Sequence, residues 1–220
     1  QGSVPTLRDF HAELLRQPEP EARDVALAIE LFTEGSLNTF AKPTNVDTNS
    51  RILCYDIRDL GKQLLPVGML VVLDSVFNRI IRNRRLGRST WVYIDEIYLL
   101  FQHEYSANFL FTLWKRVRKY GACCTGLTQN VDDLLQSHTA RTMLANSEFL
   151  VMLNQAATDR AELANLLNIS DNQLSYITNV DSGRGLIKCG SAIVPFMNSF
   201  PKNRLYQLMT TRPSETMAAA

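Results

Sequence analysis

The chain has 220 residues, 45% hydrophobic and 20% charged, so it can bury a core without disulfide or metal staples. With 23 Lys and Arg against 22 Asp and Glu, the formal net charge of +1 excludes a partner chosen by bulk charge. Four cysteines (Cys54, Cys123, Cys124, Cys189) form no C-x-x-C pair, which argues against a zinc knuckle and for a reducing, cytosolic compartment.

Gln1-Gly2-Ser3 has the look of a cloning remnant, and no signal peptide follows it. Leu7, Phe10, Leu14 and Leu15 recur at helical spacing, as do Val25, Ala28, Ile29 and Phe32. Pro18 and Pro20 separate these two helices and Gly35 ends the second. A Thr-, Asn- and Asp-rich loop runs over 42–50, so residues 1–50 read as a helical subdomain.

From residue 51 the pattern changes. Residues 51–57 predict a strand and 64–83 a long apolar helix with Met69, Leu70, Leu73, Val76, Phe77 and Ile80 on its buried side. No uninterrupted apolar run approaches the roughly 20 residues that span a bilayer, so no transmembrane segment is expected. A basic turn follows at 82–88. Strands are then expected at 91–95, 123–128 and 149–153, alternating with helices at 108–120, 132–146 and 159–167. A short helix at 173–178 precedes a closing hairpin, 185–189 and 191–196, turned at Gly190. Strand–helix alternation with continuous apolar strands predicts an α/β fold with a mainly parallel sheet flanked by helices.

The sequence W91-V-Y-I-D-E-I-Y-L-L-F101 drives a buried strand straight into two adjacent carboxylates. In open parallel sheets, ligands collect beyond the carboxyl ends of the strands, which is where Asp95 and Glu96 fall. Paired carboxylates there need a cation or a proton role to offset desolvation. A nucleotide hydrolase supplies both: Asp95 in the shell of a Mg²⁺ ion and Glu96 polarising the attacking water. The plain alternative is a strand end that simply reaches solvent.

The next strand delivers Thr128 and Gln129 to the same lip, with Asn130 able to cap the following helix. Between the strands, W114-K-R-V-R-K-Y-G121 gathers Lys115, Arg116, Arg118 and Lys119 at a helix end. The macrodipole already favours cations there; the functional reading is an arginine delivered to phosphates, in the same subunit or a neighbour. Arg79, Arg82, Arg84, Arg85 and Arg88 form another basic stretch, a solvated turn or a DNA or partner surface.

A phosphate site also needs a cradle of backbone N–H groups, usually G-x-x-x-x-G-K-[ST]. The sequence holds only Gly61-Lys62, followed by Gln63. The order of motifs nevertheless resembles the C-terminal ATPase domain of the conjugative-transfer ATPases of type IV secretion systems. These VirB/TraC-type traffic ATPases are RecA-like motors related to FtsK and HerA. The resemblance rests on WVYIDEIYLLF as the Walker B segment, on WKRVRKYG, on TGLTQNVDDLL and on G183-R-G-L-I187, and it reaches T211-R-P-S-E215. It implies a RecA-like P-loop core over 51–220, lacking the Walker A loop that the family places upstream, so that the chain reads as a truncated piece. It further implies ATP and Mg²⁺ as ligands. Asp95 and Glu96 would serve metal and water, Gln129 the sensor position, and Arg116, Arg118 and Lys119 the phosphates, with Thr128 among the nucleotide-binding residues. Its parent would be a hexamer at the cytoplasmic face of the bacterial membrane, docked on membrane-embedded secretion components and a coupling protein, driving pilus assembly and export. Two other readings stay open: a DNA-pumping coupling protein or FtsK/HerA-type translocase using Arg82, Arg84, Arg85 and Arg88, and a catalytically silent partner-binding platform.

Overall fold

Residues 4–129 and 131–210 are described by the computed structural model, the side chains of 157 and 158 excepted. Asn130 and the segment 211–215 therefore lie outside the described residues. The chain divides after Arg82 into two compact units, inside a helix.

The first unit is helical. Thr6 and Asp9 form a capping box that starts α1 (Leu7–Leu14), and Pro20 opens α2 (Pro20–Thr33) where its missing N–H costs nothing. His11 of α1 and Ala26 and Thr33 of α2 are buried, and Arg8 ties the pair by donating to the Thr33 carbonyl at 3.1 Å. The strand expected at 51–57 does not form: 53–57 carry no ladder and end in a one-turn 3-10 helix, Arg58–Leu60. Asp56 turns back instead, its carboxylate accepting from the Arg58 guanidinium and, to a smaller effect, from the Arg58 backbone N–H, which lowers its pKa to about 2. A short local ring of this kind competes directly with strand pairing.

Helix α3 (Gly61–Arg85) is longer than expected. Among the described residues it lies in the one run, Arg58–Arg85, that is long and apolar enough to cross a membrane by length and composition. This corrects the expectation of none. That expectation followed unbroken apolar runs, whereas here Pro66, Gly68, Asp74 and Arg79 interrupt a window whose average stays apolar. The same helix serves a polar loop: the Arg79 guanidinium donates to the carbonyls of Thr48 and Ser50, and Arg82 to Asn49 Oδ1 at 3.3 Å.

The second unit carries the α/β core. Strand β1 (Thr90–Ile94) pairs in parallel with β2 (Ala122–Gly126), Thr90 beside Ala122 and Ile94 beside Gly126. Helix α4 (Glu104–Arg116) makes the crossover between them and buries Ala107, Leu110 and Leu113. It runs on into a 3-10 turn, Val117–Tyr120, stopped by Gly121 in the left-handed region at φ 65°. The helix expected at 132–146 is two, α5 (Val131–Gln136) and α6 (His138–Ala145), because the Ser137 hydroxyl caps α6 by accepting from Ala140 N at 3.3 Å.

Strand β3 (Phe149–Met152) leads through α7 (Ala157–Leu167) and α8 (Asp171–Leu174) to the hairpin β4 (Arg184–Cys189) and β5 (Ala192–Met197). Gly190 turns that hairpin at φ 58°. These three strands are antiparallel in the order β3-β4-β5, so parallel pairing among the described strands belongs to β1 and β2. Leu135, Met152, Leu163, Ile177 and Leu186 close the core beneath them, and α9 (Arg204–Met209) follows.

Candidate functional site

The lip of the β1–β2 pair is built by one irregularity. Leu127 N donates to the Ile94 carbonyl at 2.8 Å, continuing the ladder past both strands. The next donor to Leu127 O is Ile97 N at 2.9 Å, so both Asp95 and Glu96 stand in the span where a regular parallel ladder holds one residue. The result is a bulge, a device that re-aims a side chain next to a site. Glu96 takes it up at φ 47° and ψ 48°, left-handed and uncommon for a residue with a Cβ. Its N–H turns onto Asp95 Oδ1 at 3.0 Å. Gly126 makes room: a Cβ there would meet Ile97 Cδ1 at 2.6 Å.

The bulge brings the acid and the amide together. Gln129 Nε2 donates to Glu96 Oε1 at 2.5 Å, across 33 residues of chain. Glu96 Oε2 is buried and has no hydrogen-bond partner among the described residues. A buried carboxylate oxygen left unpaired is costly, so this atom marks a place for a donor or a cation. Asp95 is exposed beside it, and Thr128 is half-buried between Leu127 and Gln129. An open cleft of about 340 Å³ flanks the lip, lined by Tyr98, Phe101, Gln102, Asp133, Gln136 and Ser137.

Among the described residues no three His, Cys, Asp or Glu side chains converge on a metal site. A Mg²⁺ ion does not require that: it is usually held by one or two carboxylates, water and substrate phosphates. Exposed Asp95 and the unpaired Glu96 oxygen fit such a partial shell.

The basic residues lie elsewhere. Thr90 N bonds Gly121 O at 3.3 Å, so 117–121 sit at the amino end of β1 and β2. Five strand residues at roughly 3.3 Å each put Arg116, Arg118 and Lys119 about 15 Å from the acidic lip. They are exposed, and none forms an ion pair among the described residues. Within one chain they therefore stand at the opposite end of the two strands from Asp95 and Glu96. Of the other basic stretch, Arg82 is committed to Asn49, while Arg84 lies 5.4 Å over the Tyr120 ring. Sequence reasoning singled out Asp95, Glu96 and Gln129, of which the fold joins Glu96 and Gln129, but not the bulge, whose trace is the small Gly126 opposite Ile97.

A family model described as the TraG P-loop domain matches residues 42–186, more than half of the chain. Among solved structures the chain is similar to VirB4 of Thermoanaerobacter pseudethanolicus, with a TM-score of 0.74 and 23% identity over 90% of this chain. It spans 55% of the length of that VirB4 chain. No curated protein matches it.

Proposed function

The chain belongs to the TraG P-loop domain family, and from that premise we propose that it is the hydrolytic part of an ATP-driven motor of conjugative type IV secretion. The observation that carries the proposal is the junction of Glu96 and Gln129 at 2.5 Å, with one Glu96 oxygen buried and unpaired. Glu96 acts as the base: its carboxylate accepts the proton of a water that fills the place beside Oε2. Gln129 holds that carboxylate through Oε1, fixing the direction in which Oε2 points. Asp95, one residue earlier and exposed, is the carboxylate that completes a metal shell. When bound, Mg²⁺–ATP supplies the phosphoanhydride to be cleaved and neutralises its developing charge.

The phosphate cradle has no counterpart in this sequence. Thr128 stands beside Gln129 at the lip, where the terminal phosphate would arrive. Arg116, Arg118 and Lys119 fit the phosphates of a neighbouring copy in a ring, a hexamer in the family pattern, since their own lip is out of reach. Docking on membrane-embedded secretion components and a coupling protein at the cytoplasmic face of the membrane belongs to the same proposal.

The test is kinetic. In a longer protein containing this domain and a phosphate loop, Glu96→Gln should retain ATP and lower the hydrolysis rate at least about a hundredfold. The 220-residue chain alone should turn over ATP no faster than buffer. Unchanged turnover in Glu96→Gln removes the base from the mechanism. Brisk turnover by the isolated chain removes the need for a cradle elsewhere.

A further inference from the structure

The cleft beside the acidic lip has two walls, one starting just past Glu96 and the other soon after Gln129. Past Glu96 the chain coils into a 3-10 helix, Ile97–Phe101, and α5 packs against that helix. In a 3-10 helix side chains three apart eclipse, so these five residues fall into rows. Ile97 and Leu100 make a buried row, whereas Tyr98 and Phe101 make a half-buried row that lines the cleft. On the other wall Asp133 and Gln136 stand three apart on one face of α5, with Gln102 and Ser137 completing the lining.

Core packing does not account for the two rings. Ile97 and Leu100 on one wall, and Val131, Leu134 and Leu135 on the other, already supply the buried side of both elements. Tyr98 and Phe101 stand instead in an open cleft, among two amides, a hydroxyl and a carboxylate. The Ser137 hydroxyl is engaged in capping α6, which leaves the amides and the carboxylate as acceptors.

Charge decides what such a cleft takes. Residues 89–114 and 120–140 hold five acids, Asp95, Glu96, Glu104, Asp132 and Asp133, and no Lys or Arg. Arg141, next along the chain, is engaged: its guanidinium donates to the Leu135 carbonyl and lies 3.9 Å from Glu162. The start of α5 offsets only about half a charge of Asp132 and Asp133. Polyanions are repelled here and cations attracted. Rings, amide oxygens and a carboxylate are together the partners of a guanidinium, which stacks on aromatic faces and donates in its own plane. A carboxylate offers about four acceptor sites, so Asp133 can take a guanidinium beside its contact within the chain.

Size narrows the occupant further. A volume of about 340 Å³ lies near the lower end of ligand pockets, roughly 300–1,000 Å³, and suits a short extended segment rather than a folded surface. The arginines of a second copy do not offer that shape: Arg84 and Arg85 end α3, Arg116 ends α4, and Arg118 sits in the 3-10 turn.

We propose that this cleft binds an arginine-bearing, extended segment of a partner protein, its guanidinium against the rings of Tyr98 and Phe101 and within reach of Asp133. Binding needs no nucleotide and does not rest on Glu96 as the base, so either reading can fail alone.

The experiment is fluorescence anisotropy of a labelled, end-blocked glycine pentapeptide with arginine at its second and fourth positions, titrated with the 220-residue chain. Saturable binding is expected at about 50 mM salt and should weaken about threefold at about 200 mM. Citrulline in place of arginine keeps the shape without the charge and should cost about tenfold; lysine should cost about threefold. Phe101→Leu keeps apolar bulk without the ring and should cost about fivefold, with Tyr98→Leu as the second ring variant should the first unfold. Asp133→Asn should also cost about fivefold. Glu148→Gln, an exposed acid outside the cleft, should change little. The proposal is overturned by absent binding at low salt, by equal binding of the citrulline peptide, or by an equal loss in Glu148→Gln. Displacement of the peptide by adenosine at lower concentration than by arginine amide overturns it in favour of a purine. Self-association in sedimentation that Asp133→Asn abolishes, without peptide binding, overturns it in favour of a second copy.

Discussion

At its carboxyl end the β1–β2 pair is acidic, bulged and tightly accounted for: one carboxylate oxygen held at 2.5 Å, the other buried and waiting. About five residues away, the amino end is cationic, exposed and regular in its ladder, with side chains that reach into solvent. Both are ends of the same two strands, yet only one invests backbone conformation in its side chains. The difference teaches where to look for chemistry. A reaction needs one fixed direction, which a bulge imposes and a regular, solvent-facing ladder end does not.

That contrast can be broken by experiment. The largest effect on stability belongs to Gly126→Val, which would drive a side chain into Ile97 and unseat the bulge. It should cost about 2 kcal/mol in urea unfolding, within the usual range for overpacking. Should the loss be negligible, the lip is softer than its close contacts imply. Next comes Gln129→Ala, which removes the side-chain donor to Glu96 Oε1. Because the pair is partly exposed, a loss of about 1 kcal/mol is expected. Arg118→Ala at the opposite end should stay within about 0.5 kcal/mol of the unaltered chain. Equal costs at both ends would erase the distinction.

The smallest effect concerns the middle of β2. Burial, and then the neighbouring Cys123, push the Cys124 thiol up from 9.0 to about 12. At pH 8 an alkylating reagent should therefore label exposed Cys54, Cys123 and Cys189 in the folded chain and spare Cys124. The linkage has a definite sign. The folded-state pKa lies above the unfolded value, so this contribution to stability is complete below pH 9 and is lost as pH rises toward 12. Rapid labelling of all four thiols at pH 8 would show that β2 is not packed as described.

Much of this was legible in residue order. The strand ending at Asp95–Glu96, the second strand that presents Gln129, and the hairpin at Gly190 all follow from apolar runs bounded by small or polar residues. What was hidden depends on contacts between distant residues. Nothing in Arg51–Ile57 distinguishes a strand from an extended loop until Asp56 is seen to close on Arg58. Ser137 breaks a helical period that would otherwise run on, because a hydroxyl can cap as well as continue. The merging of two basic stretches, some 30 residues apart, needs the register of a parallel pair to become visible.

The left-handed backbone of Glu96 has a consequence for anyone breeding sturdier versions of this domain. Glycine adopts that geometry freely, so Glu96→Gly relieves both the torsional penalty and the solvent-starved oxygen. Selection for heat tolerance alone would then discard the carboxylate proposed as the base, and a library ranked by melting point should be enriched in variants that lack it.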